Sequence, residues 1–237
     1  AEGILTVSPL VNYKDAPKAV PKRKRILSDD EIRNLWEATE PQPIAEDLPP
    51  NNDPKDNAIW SPFHRLLLLT AQRREEVGAM RWDELDLEKA TWTIPGERTK
   101  NGEEHLVHLS PQALAVLATV PKQKGCAFVF SGNGETSVKG YSKAKARLDK
   151  RMGISDWRVH DLRRTAASGM DGLGFRTIVI EYILNHISGV RGGLTGTYQR
   201  HPNLEERKRA IEAWGNYVEQ LLSNATESNV VSMGSRT

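Results

Sequence analysis

Val159-His160-Asp161-Leu162-Arg163-Arg164-Thr165-Ala166-Ala167-Ser168 is the stretch from which the rest of the chain can be placed. It reads as a helix beginning near His160. His160 and Arg163 are three residues apart, so imidazole and guanidinium project from one helical face. A lone His-x-x-Arg is a weak signal that chance supplies often, and its weight depends on its surroundings. Downstream, Arg176 to Leu184 reads as a second helix, His186 follows it, and Gly189 to Gly196 is a glycine-rich loop. Tyr198 then lies twelve residues beyond His186. A tyrosine can act as a covalent catalyst only where one group takes its proton and another neutralises the charge it attacks.

Upstream, the chain offers groups of both kinds. Ser28-Asp29-Asp30-Glu31 is a capping box followed by Ile32, Leu35 and Trp36 at helical spacing, which predicts a helix from about Asp29 to Thr39. Pro41 to Pro54 is proline-rich and acidic, and is expected to form an exposed loop. Helical spacing resumes through Ile59, Phe63, Leu66, Leu67 and Leu69 and runs into Thr70-Ala71-Gln72-Arg73-Arg74-Glu75-Glu76-Val77. On a helix Arg73 and Glu76 share a face, where the carboxylate can hold the guanidinium, although an ordinary surface pair has the same spacing. Thr91 to Pro95 and His105 to Leu109 are strand candidates, and the turn between them carries Lys100 at its tip. Ala127-Phe128-Val129-Phe130 is expected to add a third strand, after a helix opening at Ser110-Pro111. Asn203 to Leu222 reads as a charged amphipathic helix. The fold class expected is mainly α (α+β), with a small three-stranded antiparallel sheet.

Composition narrows the functional classes. The 237 residues can bury a sizeable core, and 33 basic against 31 acidic residues leave a net charge of only +2. Charge distribution says more than the total. Lys22, Arg23, Lys24 and Arg25 form one basic cluster, and Lys139, Lys143, Lys145 and Arg147, with Lys150 and Arg151, form another along a predicted helix. Either can contact phosphates, and either can be a solvated face. One cysteine, Cys126, excludes an internal disulfide, and the longest apolar run, Leu66 to Leu69, is far too short to span a bilayer. A cytoplasmic protein without membrane contact is expected. His105 and His108 would face opposite sides of a strand, no cysteine or carboxylate pattern completes a metal site, and no cofactor is expected.

Taken in order, Thr70-Ala71-Gln72-Arg73-x-x-Glu76, Thr99-Lys100, His160-Asp161-Leu162-Arg163-Arg164-Thr165, Leu184-Asn185-His186 and Thr197-Tyr198 resemble the motifs of the tyrosine recombinase (phage integrase) catalytic domain. The resemblance covers roughly residues 28 to 222 and is nearest to integrases of prophages and genomic islands. It departs at Ala71 and Asn185, where the family usually has glycine. It implies a linker over residues 1 to 27 from a missing core-binding domain, a catalytic domain over 28 to 222, and a flexible tail over 223 to 237. It also implies double-stranded DNA attachment sites, a tetramer of protomers on DNA, and an excision factor as a further partner.

The residues suit that chemistry. Attack on a phosphodiester builds negative charge on the non-bridging oxygens, and Arg73 and Arg163 are permanently charged bidentate donors for it. Lys100 would act as general acid toward the departing 5′ oxygen, Tyr198 as nucleophile, His160 as proton acceptor or orienter, and His186 as a further phosphate donor. Glu76 would hold Arg73 in place. Two other functions share most of these features: a DNA-binding or architectural protein that does not cut, and a DNA-relaxing enzyme of the type IB topoisomerase kind.

Overall fold

The computed structural model describes residues 23–40, 56–186 and 203–228. Helix α1 (Asp29–Ala38) begins as its sequence dictates: Glu31 N donates to Ser28 Oγ at 3.3 Å, and Ser28 N donates to Glu31 Oε2 at 2.9 Å. Such a cap contributes about 1 kcal/mol. Residues 23–27, expected as linker, belong to the packed structure instead. Leu27 is buried and its N–H donates to Thr165 Oγ1 at 2.9 Å, so an apolar anchor and a backbone bond fasten the segment to the helix that carries Arg163.

A π turn (Asp56–Trp60) leads into α2 (Ser61–Thr70), in which every residue but Arg65 is buried. A helix apolar on nearly all sides belongs at the centre of a core. Accordingly α4 (Pro111–Ala118), α6 (Val159–Gly172) and α8 (Leu204–Ser228) pack around it. Trp214 on α8 donates its indole N–H to Leu68 O at 2.9 Å. A Cβ at Gly169 would lie 2.1 Å from that indole ring, so only glycine lets α6 approach α8 here. Helix α2 stops at Ala71, whose φ of 57° turns the chain out through the left-handed region into α3 (Arg74–Gly78).

Strands β1 (Leu85–Asp86), β2 (Thr91–Ile94) and β3 (His105–His108) pair antiparallel in the order β1-β2-β3. The register sets Trp92 opposite Val107 and Ile94 opposite His105, and all four side chains are buried on one face. The third strand is not the one predicted. Ala127 to Phe130 makes only the single bridge Arg81–Phe128, formed by Trp82 N donating to Ala127 O and Val129 N to Met80 O, and beyond it Phe130 O accepts from Val138 N, so its backbone is divided between two loops. The actual edge, Leu85–Asp86, is two residues long and too short to show a period of two.

The remaining elements are α5 (Tyr141–Met152) and α7 (Thr177–Ile183). Helix α8 passes the predicted end at Leu222 and runs to Ser228, taking in the first residues of the expected tail. The expected loop over Pro41 to Pro54, the glycine-rich loop over Gly189 to Gly196, Lys22 and Tyr198 all lie outside the described residues. None of the described helices is long and apolar enough to cross a membrane.

Candidate active site

Arg73 occupies the N-cap of α3 rather than its interior, and Glu76 encloses it from two directions. Arg73 N donates to Glu76 Oε2 at 2.9 Å and Arg73 Nη1 to Glu76 Oε1 at 2.8 Å. Glu76 is almost fully buried, which makes this a charge-assisted bond in a low-dielectric setting and not a surface pair. The opposite edge of the guanidinium reaches Asn185 O, with Nη2 at 3.3 Å.

Arg163 sits deeper. The capping of α6 falls to its neighbour: Asp161, fully buried, accepts from Arg158 N at 2.8 Å, Arg164 Nη1 at 2.6 Å and Arg23 Nε at 3.3 Å. Arg163, one turn along from His160, donates to Ala71 O at 2.6 Å and to Leu184 O. Burial, reinforced by the charge of Arg73, pushes its pKa down to about 9, still leaving it cationic at neutral pH.

These bonds form a pattern at the C-terminal end of α7, where helix carbonyls have no partner within the helix and the dipole is negative. Ile183 O accepts from Gln72 Nε2 at 3.0 Å and meets His105 Nε2 at 3.1 Å. Leu184 O accepts from Arg163 and Asn185 O from Arg73. Two successive carbonyls, Leu184 O and Asn185 O, thus hold one arginine each, and Ile183 O beside them holds Gln72 and His105. The left-handed turns at Ala71 (φ 57°) and Asn185 (φ 49°) aim these segments, which is where glycine would be the less costly residue.

Arg73, Lys100 and His160 line one cleft of about 690 Å³, together with Arg74, Tyr141 and Arg158. Lys100 is exposed at the tip of the β2–β3 turn, as its sequence position predicts, and Arg98 secures the base of that turn through Ala79 O, Glu76 O (3.3 Å) and Glu84 (3.2 Å). Loss of solvent, then the charges of Arg163 and Arg164, hold the His160 imidazole below its usual pKa. His186 is likewise lowered, first by burial and then by Arg163, against the opposing Glu181, whose Oε2 is 3.0 Å from His186 Nδ1. A second tyrosine, Tyr141, lies in the cleft but is not presented as a nucleophile. Burial pushes its pKa up to about 12, and its hydroxyl rests so close to Gly78 that a Cβ there would come within 2.1 Å. Among the described residues no cluster of histidine, cysteine, aspartate and glutamate could hold a metal ion.

The two basic clusters differ. Arg23 pairs with Asp156 (2.8 Å) and Asp161, Arg25 pairs with Glu31, and Lys24 is exposed. Lys145 is held by Asp149 at 2.6 Å and lies 4.4 Å from the Trp157 ring centre, whereas Lys139 and Lys143 are exposed and Arg147 is partly buried.

Residues 25–200 match the model of the phage integrase family. The chain belongs to that family. Prophage integrase IntA of Escherichia coli strain K12 is 33% identical over 153 residues, covering 64% of this chain and 37% of that protein. Prophage integrase IntZ of the same strain is 30% identical over 164 residues, covering 67% of this chain and 39% of that protein. The chain therefore spans well under half the length of these curated relatives. Among solved structures, the integrase of mycobacterium phage Brujita superposes with a TM-score of 0.57 at 18% identity, over 88% of this chain and 64% of that one. Lambda integrase, solved as a dimer bound to a COC′ core site, gives 0.52 at 17% identity over 72% and 60%. At these identities the structures establish a common tyrosine recombinase fold.

Within this phage integrase domain, sequence reasoning missed Asp161 as the cap of α6, Asn185 as the acceptor for Arg73, and Asn101 as the side-chain partner of Asn185. The signal for Asp161 was present, since it stands at the third position of α6 behind Arg158 and can return a carboxylate to that backbone N–H. Nothing in the sequence foretold the contact between Asn101 and Asn185, which are 84 residues apart.

Proposed function

We propose that this chain is the catalytic part of a site-specific DNA recombinase that integrates and excises a prophage or genomic island. The observation carrying the proposal is the convergence of Arg73, Lys100 and His160 on one cleft, with Arg163 bound to the carbonyls that adjoin Arg73 and Asn185. Tyr198 Oη attacks the phosphorus of one strand, the bond from phosphorus to the 5′ oxygen breaks, and a 3′-phosphotyrosine forms that keeps the bond energy for religation. The tyrosyl proton goes to His160, whose lowered pKa leaves it neutral and able to accept at neutral pH. The Lys100 ammonium gives a proton to the departing 5′ oxygen. Arg73, Arg163 and His186 bind the non-bridging oxygens as charge builds up on them.

The duplex lies across the cleft in this proposal. Lys22, Arg23, Lys24, Arg25, Lys139, Lys143, Lys145 and Arg147 contact its phosphates; Arg23, Arg25 and Lys145 would exchange an intramolecular carboxylate for DNA. Four strands must be exchanged and one site cuts one strand, so the working assembly is a tetramer on two attachment sites, aided by an excision factor and located at the nucleoid. Footprinting the full-length protein on candidate host junctions locates the site. A nicked suicide duplex of that site should then trap a covalent adduct on denaturing gels. No adduct from wild type on any footprinted site, or an adduct persisting in Tyr198→Phe, overturns the proposal.

A further inference from the structure

We propose that Asn101 and Asn185 form a positioning latch that sets the Lys100 ammonium against the arginine pair; this rests on the recombinase function proposed above. Asn101 Nδ2 donates to Asn185 Oδ1 at 2.8 Å, and Asn185 Nδ2 donates to Asn101 Oδ1 at 3.3 Å. Asn185 is buried, and its own carbonyl accepts from Arg73. One residue thus touches a phosphate-binding arginine through its backbone and the neighbour of the general acid through its side chain.

The turn that carries Lys100 is internally closed. Thr99 Oγ1 shares its one proton between Glu103 O at 2.8 Å and Gly96 O at 3.0 Å, and Glu103 N donates to Asn101 Oδ1 at 3.3 Å. It therefore moves as a unit, and fastening Asn101 fastens Lys100. Lys100 itself forms no ion pair with any described residue, so the turn's backbone is what places its ammonium. The backbone at Asn185, with φ of 49°, would be satisfied at less cost by glycine. The carboxamide is what asparagine adds at that position, and Asn101 is where it goes.

Asn185→Gly keeps the left-handed backbone and removes the latch; Asn101→Ala removes it from the other side without touching the core. The full-length protein is assayed on nicked duplexes of the footprinted site, one with an ordinary phosphodiester and one with a 5′-bridging phosphorothiolate, whose sulfur departs without a proton. Each variant is expected to cut the phosphodiester roughly tenfold more slowly, since a displaced catalytic group costs on that order, and to cut the phosphorothiolate at nearly the wild-type rate. Amide exchange across residues 99 to 104 should quicken in both variants. Equal losses on the two substrates, or no loss on either, overturn the latch while leaving the recombinase function standing. Wild type cutting neither duplex overturns the recombinase function, and unchanged exchange in the variants overturns the latch independently of any cleavage.

Discussion

Arg73 and Arg163 are proposed to share one task, binding the non-bridging oxygens, yet the protein holds them by different means. Arg73 is partly exposed and bound to a carboxylate, with one carbonyl on its far edge. Arg163 is buried and bound to two carbonyls, with no carboxylate within ion-pair distance among the described residues. A full counter-charge would satisfy Arg163 and lessen its pull on a phosphate. Neutral carbonyl dipoles orient it and leave its charge uncancelled, while burial and then the charge of Arg73 lower its pKa to about 9. The electrostatic work on the transition state should therefore rest more heavily on Arg163, and Arg73 should depend more on Glu76 for its position.

That asymmetry can be broken experimentally. The largest effect is expected from Arg163→Ala: strand cleavage should fall roughly a hundredfold to a thousandfold, and the orphaned Ala71 and Leu184 carbonyls should cost ~1–3 kcal/mol each in a urea titration. A loss of cleavage without a loss of stability would mean that the carbonyl bonds do not carry load in the fold. Glu76→Gln comes next. It keeps the shape and one acceptor but removes the charge opposite Arg73 and turns an amide NH2 toward one of the two donors, which predicts roughly tenfold slower cleavage and a loss of ~1–3 kcal/mol in stability. If both variants slow cleavage alike, the two arginines are equivalent after all.

His105 offers a smaller, pH-dependent test, since it meets the same run of carbonyls at Ile183 O. Burial, and then the charge of Arg207, push its pKa down to about 3 from 6.5. The folded imidazole stays neutral while the unfolded one takes up a proton below pH 6.5. Its contribution to stability is thus complete above pH 6.5 and is lost as pH falls from 6.5 toward 3, by up to ~1.4 kcal/mol per pH unit. His105→Gln should flatten that acid limb in urea midpoints measured against pH, and an unchanged slope would remove His105 from the carbonyl network. The smallest effect is expected at Ala71, whose carbonyl receives Arg163 from a left-handed backbone. Ala71→Gly should relieve that conformation and raise stability by no more than ~1 kcal/mol, with cleavage unchanged if the arginine keeps its geometry.

Much of this molecule was legible from short-range rules. The Ser28–Glu31 capping box, the Ser110-Pro111 helix start and the helix carrying His160 and Arg163 all follow from local spacing, and each forms where it was expected. Where local rules lacked a signal they failed. Leu85–Asp86 is too short to alternate, and the apolar Ala127 to Phe130 has strand composition but its backbone partners lie in loops. Arg23 showed its charge but not its acidic partners, Asp156 and Asp161, which lie more than 130 residues away.

By itself, the sequence determined most of the elements and nominated the candidate reactive groups, because caps, periods and motif spacing act over a few residues. It also marked Ala71 and Asn185 as departures from glycine, though not what either departure does. Only the tertiary structure decided how the groups are held: which arginine is buried, that the free carbonyls of α7 receive both, and that Asn185 reaches the turn carrying Lys100. The reason is physical. A helix end leaves carbonyls unsatisfied whatever the sequence, and the donors that come to them are selected by packing between segments 21 residues apart for Arg163 and 112 for Arg73.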